Sequence, residues 1–234
     1  MSLPFFFTAS LSLQDSSFIL SEETSKHIVQ VLRMQEGEQL RLTDGKGNVM
    51  TCSIAEAHKK KCSVIKLSGS STASYPNDIS IAISLIKNTS RFEWFLEKAT
   101  EIGVRSIIPL LCERTEKQHF RWDRMNGILI SAMLQSQQYF LPELMEPVNI
   151  KSLLESNNSI HKFIAHCDED AHKRSFTPIN KNESAIMLIG PEGDFSKEEI
   201  LLAKSKGFVP VSLGNNRLRT ETAAVVATVL MNER

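Results

Sequence analysis

An excess of charge of either sign is missing from this chain. Lys and Arg number 27, Asp and Glu 27, and the formal net charge at pH 7 is zero. Proteins that coat nucleic acid through bulk charge carry a basic surplus, so the balance speaks against that class and leaves room for a local basic patch. Long apolar runs are missing too. No stretch approaches the roughly 20 residues of a membrane-spanning helix, so no membrane partner is expected. Phe5-Phe6-Phe7 is too short for the apolar region of a secretion signal, and no basic residue precedes it. Cys52, Cys62, Cys112 and Cys167 form no CxxC pair. Without an export signal they read as reduced thiols of a cytoplasmic protein, not as a disulfide framework. Internal repeats and low-complexity tracts are absent as well. What is present is an ordinary apolar share of 41% over 234 residues, enough for a sizeable core in one large domain or two small ones.

The pattern changes character near residue 70. Before it, strands dominate. Phe5–Phe7 reads as a strand, and Leu40 and Leu42 alternate with polar neighbours. Asp44-Gly45 then marks a hairpin turn, and Val49 to Ile54 resumes the sheet. Val49–Ala57 pairs with Cys62–Leu67 across Lys59-Lys60-Lys61, a basic run that reads as a solvated turn. One helix is expected over Glu22 to Arg33, capped by Ser21, with Ile28, Val31 and Leu32 on one face. Ser68 to Asn77 reads as a linker. Domains are therefore expected at 1–72 and 73–234.

From Ile79 strands and helices alternate, which argues for a parallel α/β sheet. Ile79–Ile86, Ile107–Leu111, Phe163–His166, Ala185–Ile189 and Phe208–Leu213 read as strands. The helix after Lys87–Arg91 places Phe92, Phe95, Leu96, Ala99 and Ile102 on one stripe and ends at Gly103. Trp122–Gln138, Ser196–Lys206 and a final helix from about Glu221 follow. Ser196 with Glu199 makes a capping box, and Thr220 is a candidate cap for the last helix.

Two segments stand out. Leu188-Ile-Gly-Pro-Glu-Gly-Asp-Phe-Ser196 and Leu213-Gly-Asn-Asn-Arg-Leu-Arg-Thr-Glu-Thr-Ala-Ala224 each follow a buried strand and precede a helix. Open α/β sheets place ligands at such carboxyl ends. Glycine admits close backbone approach and proline stiffens the turn. Two such loops side by side would line a pocket with main chain, which suits a nucleoside better than a bare phosphate.

These segments resemble the signature of the RsmE family. The resemblance extends to Lys87-Asn-Thr-Ser-Arg-Phe-Glu-Trp-Phe-Leu-Glu-Lys-Ala-Thr-Glu-Ile-Gly103 and to His27-Ile-Val-Gln-Val-Leu-Arg33, and so spans nearly the whole chain. That family methylates N3 of a uridine in the decoding region of 16S ribosomal RNA, with S-adenosylmethionine as donor. It belongs to the SPOUT, or α/β-knot, methyltransferases. The resemblance implies an α/β fold with a deep trefoil knot in a C-terminal parallel-sheet domain and a small N-terminal PUA-like β-barrel. It also implies a homodimer, with the small ribosomal subunit as partner. Ala223, Ala224, Val226 and Ala227 give the last helix a small-residue surface that suits either the knot or a second subunit.

By the same resemblance, Ile189, Gly190, Pro191, Gly193, Leu213, Gly214, Leu218 and Thr220 hold the cofactor, and His166 borders its pocket. Arg219 would stabilise negative charge on the uracil carbonyls, as an oxyanion hole does. Arginine stays charged and is a poor base, so Glu221 is the candidate to take the N3 proton. His27, Arg33, Lys87, Arg91 and Arg114 are candidate RNA contacts. His166-Cys-Asp-Glu-Asp-Ala-His172 looks like a metal site, but no second cluster at zinc-finger spacing supports it and no metal is expected.

Departures from the family pattern occur at Asp194, where many relatives carry glycine, and at Asn216 and Arg217. Gln138 and Phe140 stand where relatives often carry arginine. Three other readings stay open. One is a methyltransferase of the same fold with another target, such as a ribose 2′-hydroxyl. A second is a non-catalytic ribosome-assembly factor, against which the intact loops argue. The third, a Rossmann-type methyltransferase, needs a glycine-rich turn after an early strand of its domain, and none is present.

Overall fold

The structure is a computed structural model that describes residues 3–73, 75, 77–116, 119–167, 174–176 and 183–232. The chain forms two compact units. One comprises residues 1–75 with 133–141, the other 76–132 with 142–234.

In the first unit, β1 (Phe5–Phe7), β2 (Ser17–Ile19), β3 (Gln39–Thr43), β4 (Asn48–Glu56) and β5 (Ser63–Ser71) form one sheet in the order β1-β3-β4-β5-β2. β1 and β3 are parallel, and the other pairs are antiparallel. Alternation drives this sheet. Leu40, Leu42, Met50, Cys52, Ile54 and Val64 turn inward onto one core with Phe6 and Ile28.

Two expectations for this unit are corrected. Helix α1 (Glu22–Lys26) is capped by the Ser21 hydroxyl as read, but continues as a π-helical turn over His27–Val31. The wider turn breaks the expected spacing. Ile28 is buried, Val31 is 66% exposed, and Met34 takes the next inward position. Ser68–Ser71, read as linker, are the end of β5 and pair with Asn48–Thr51. Their backbone hydrogen bonds hold the strand where their side chains add no packing.

Residues 133–141 return to this unit, which the reading of 73–234 as one uninterrupted domain did not anticipate. The Phe140 ring lies 4.4 Å from that of Tyr75, and the Tyr139 carbonyl accepts from Gly47 N–H at 2.9 Å. The Tyr139 hydroxyl accepts from Arg41 at 2.8 Å, while the Arg41 guanidinium sits 4.9 Å from the Phe5 ring. In this chain Phe140 serves packing.

The second unit is a parallel sheet covered by helices. In chain order it holds β6 (Ile79–Ser84), α2 (Thr89–Ile102), β7 (Ser106–Leu111), α3 (Trp122–Gln135, of which residues 133–135 belong to the first unit), β8 (Glu143–Leu144), β9 (Val148–Asn149), α4 (Ile150–Ser156), β10 (His161–Ala165), β11 (Arg174–Ser175), β12 (Ala185–Ile189), α5 (Lys197–Ser205), β13 (Val209–Ser212) and α6 (Thr220–Asn232). The strand order is β11-β13-β10-β12-β6-β7-β8, with β9 also on β7. Ala82, Ile108, Ile164, Ile186 and Leu188 face α4 and α5 on one side. Ile79, Ile81, Ile83 and Met187 alternate with them and are equally buried, and α6 packs on β6 and β12 beside α2. α2 starts at the Asn88 cap and buries Phe92, Phe95, Leu96 and Ala99, while Ile102 is half-buried. α3 stops at Gln135, short of the expected Gln138, and Thr220 is the first helical residue of α6, not the residue before it.

Candidate active site

The strand order decides the site. The two glycine loops are not immediate neighbours, because β10 lies between β12 and β13. All three strands are parallel and in register, so their C-terminal loops open at one edge of the sheet. The Gly190 loop and the Gly214 loop therefore flank a third, which starts at His166. Together they surround a cavity of about 670 Å³, a size typical of small-molecule sites.

Its walls bring most of the predicted residues together. Ile189, Gly190 and Pro191 come from the first loop, and Leu213, Gly214, Leu218 and Arg219 from the second. His166, only 9% exposed, forms part of the middle wall, and Thr220 that of α6. Gly193 does not line the cavity. Its carbonyl faces away and accepts from Arg114 Nη1 at 2.8 Å. Gly190 sits at a close approach: a Cβ there would lie 3.1 Å from the Phe195 ring and 3.2 Å from the Phe195 nitrogen, a tight fit. Gly214 has φ 137°, a backbone state that other residues rarely adopt.

The candidate catalytic residues are placed differently from each other. Arg219 is exposed on the cavity wall. Glu221 is 6% exposed and is not a wall residue. Its Oε1 lies 3.6 Å from Arg91 Nε, and its Oε2 has no hydrogen-bond partner among the described residues. Arg91, read as an RNA contact, is itself on the wall. Lys87 pairs with Glu116 at 2.8 Å, an exposed pair whose hydrogen bond holds the Lys87 ammonium above its ordinary range. Arg114 directs its guanidinium into the Gly190 loop. His27 and Arg33 belong to the first unit, where His27 meets the edge of the Phe6 ring and Arg33 is exposed.

Sequence reasoning missed the bracing of the Gly190 loop. Glu192 accepts from Lys87 N–H at 3.1 Å, and Arg114 reaches the Phe195 carbonyl at 3.4 Å. Asp194, at φ 64°, accepts from Cys167 N–H at 2.7 Å and from Phe195 N–H at 2.8 Å. Behind the loop, Glu199 closes the expected capping box with Ser196 and also accepts from Glu113 N–H at 2.8 Å. No sequence signal marks these ties, because they join residues far apart in the chain. Among the described residues no group of three or more His, Cys, Asp or Glu is arranged to hold a metal. Residues 168–172 of the His166–His172 cluster lie outside the described residues.

Comparison with known proteins agrees with this geometry. Residues 73–232 match an RNA methyltransferase domain, and residues 20–67 match an RNA methyltransferase PUA domain. The ribosomal RNA small subunit methyltransferase E of Aquifex aeolicus is 30% identical over 223 residues, 92% of this chain and 93% of that protein. A probable rRNA-methyltransferase from Porphyromonas gingivalis superposes with a TM-score of 0.88 at 37% identity, covering 97% of this chain and 95% of that one. The small subunit methyltransferase E of Neisseria gonorrhoeae, bound to S-adenosylmethionine, superposes with a TM-score of 0.86 at 27% identity, covering 97% and 95%. Matching both units and nearly the full length of its relatives, the chain belongs to the ribosomal RNA small subunit methyltransferase E family of RNA methyltransferases.

Proposed function

We propose that this protein transfers a methyl group from S-adenosylmethionine to N3 of a uridine in the decoding region of 16S ribosomal RNA. The observation that carries the reading is the cavity, with main chain from two glycine loops on its walls and Arg219 at its edge. The relative from Neisseria gonorrhoeae is bound to S-adenosylmethionine. The donor set fits that molecule. Backbone polar groups near Gly190 and Gly214 suit the edge of an adenine, and Ile189, Leu213 and Leu218 offer apolar contact to its faces.

When bound, S-adenosylmethionine supplies an electrophilic methyl group on a sulfonium. The protein must then deal with the uracil. N3 is protonated at neutral pH, so its proton leaves as the new bond forms and negative charge spreads onto the flanking carbonyls. Arg219 donates to that charge. Glu221 takes the proton through Oε2, by way of a water because its carboxylate stands behind the wall, while Arg91 holds Oε1. His27 and Arg33 on the first unit, with Lys87, contact the RNA. The same reading makes the first unit a PUA-like barrel, knots the C-terminal segment and pairs two chains through the outer face of α6. Ala224 and Ala227 are fully buried within the chain, so that face is Ala223 and Val226.

Equilibrium binding tests the reading. Calorimetry of the full-length protein should show saturable binding of S-adenosylmethionine at one site per chain. Absence of binding at millimolar ligand would overturn it.

A further inference from the structure

We infer that Arg217 is an RNA-binding residue, which grips the backbone phosphate beside the methylated nucleotide at the mouth of the cavity. The inference rests on the reading of the cavity given above and adds a contact to it. Three arginines line the cavity: Arg91, Arg217 and Arg219. They are engaged differently. Arg91 pairs with Glu221, 3.6 Å away. Arg217 and Arg219 are both exposed, and neither guanidinium has a hydrogen-bond or ion-pair partner among the described residues. Two carboxylates share the wall, Glu192 and Asp194, and both are turned to backbone. Glu192 accepts from Lys87 N–H at 3.1 Å, and Asp194 accepts from Cys167 N–H at 2.7 Å and from Phe195 N–H at 2.8 Å. The Gly214 loop therefore presents two guanidinium groups to solvent with no carboxylate bound to either.

Their spacing suits two parts of one nucleotide. Leu218, half-buried, separates the two exposed arginines. Two residues of chain span at most about 7 Å, so both long side chains can reach a single nucleotide. A base that is methylated inside a pocket must leave its stack, while its phosphate stays outside. Arg219 serves the uracil carbonyls, which leaves the phosphate to Arg217. The guanidinium fork matches two phosphate oxygens with parallel hydrogen bonds. The charge is needed there as well. The chain carries no net charge, so its attraction to RNA has to come from local groups. Lys87, also read as an RNA contact, is offset by Glu116 at 2.8 Å, whereas no such neighbour offsets Arg217 among the described residues.

The experiment compares Arg217→Ala and Arg217→Lys with wild type in the full-length protein. Residue 217 is exposed on a loop, so neither change disturbs packing. Binding to unmethylated small ribosomal subunits is measured by filter retention over a series of potassium chloride concentrations at fixed magnesium. Single-turnover methylation and calorimetric titration with S-adenosylmethionine are measured alongside. One phosphate contact contributes about 0.7–0.9 to the slope of log affinity against log salt, equivalent to about fivefold to eightfold at 0.1 M salt relative to 1 M. Arg217→Ala should lose that affinity and that slope. Its rate at saturating subunits should fall by less than about twofold, and its affinity for S-adenosylmethionine should stay within about twofold of wild type. Arg217→Lys should restore the slope and most of the affinity, because a point charge serves a phosphate. Unchanged affinity and slope in Arg217→Ala would overturn the inference. So would a loss confined to S-adenosylmethionine binding, which would put Arg217 on the donor's carboxylate, or a slower saturated rate with normal binding, which would put it on the base. Wild-type protein that binds no small subunits would overturn the reading of the cavity as an RNA-methylating site, and this inference with it.

Discussion

Arg219 and Glu221 are two residues apart, yet one is exposed on the cavity wall and the other buried behind it. The separation follows from the start of α6 at Thr220, which turns Glu221 inward toward Arg91. Arg219 is thus free to meet substrate. Its removal should act on the transition state more than on binding. Losing one such donor costs about 2.7–4 kcal/mol, so Arg219→Ala should slow single-turnover methylation roughly a hundredfold to a thousandfold. Binding of S-adenosylmethionine should be unchanged within about twofold, since the contacts proposed for it come from the glycine loops and their apolar neighbours rather than from Arg219. Arg219→Lys should recover little, because an ammonium cannot reproduce the guanidinium fork. Cys112 allows a second test. Burial, with help from the Glu199 charge, pushes its thiol up to about 12, and burial alone raises Cys52 to about 11 against the Lys66 charge. Both folded values exceed the ordinary thiol value of 9.0. The stability tied to these protonated thiols is therefore complete below pH 9 and is lost as pH rises from 9 toward 11 and 12. Urea midpoints should fall over that range, and Cys112→Ala should flatten the fall.

Elements with strong periodicity were legible in the sequence, and short or irregular ones were not. β6, β12 and the buried face of α2 carry enough apolar residues to announce themselves. β8 and β9 have two residues each, too few for any period to show. β2 is an edge strand of three residues with alternate exposure. The seven-residue α4 carries an Asn149 cap but is brief enough to pass as loop. The π-helical turn after α1 is a local adjustment that no propensity scale marks. At the site, the glycine loops could be read because glycine and proline punctuate them. The position of β10 between them could not, since strand order arises from long-range pairing. The Gly190 loop is the element to test. A Cβ at residue 190 would press on Phe195, itself 2% exposed and packed in the core under α5. Gly190→Val should therefore displace the loop and weaken S-adenosylmethionine binding at least about tenfold, while the first unit keeps its fold. Calorimetry with circular dichroism checks both halves. Unchanged affinity would remove the loop from the site.

At the scale of the whole molecule, the chain joins an α/β unit with a ligand-sized cavity to a smaller β-rich unit that matches an RNA methyltransferase PUA domain. The change of period near residue 70 revealed the two parts. The return of residues 133–141 was hidden, because Tyr139 and Phe140 show their use only once Arg41, Gly47 and Tyr75 are in place. Zero net charge fits this arrangement, since recognition through a shaped site needs only local basic groups. The most direct measurement is the location of the methyl group. Small ribosomal subunits from a strain lacking this gene are incubated with the protein and methyl-labelled S-adenosylmethionine, and the 16S RNA is digested and mapped by mass. The account predicts one labelled nucleoside, 3-methyluridine, in the decoding region, and none with Arg219→Ala on the same timescale. Label on a ribose 2′-hydroxyl, on another base, or no label at all with cofactor bound would contradict it.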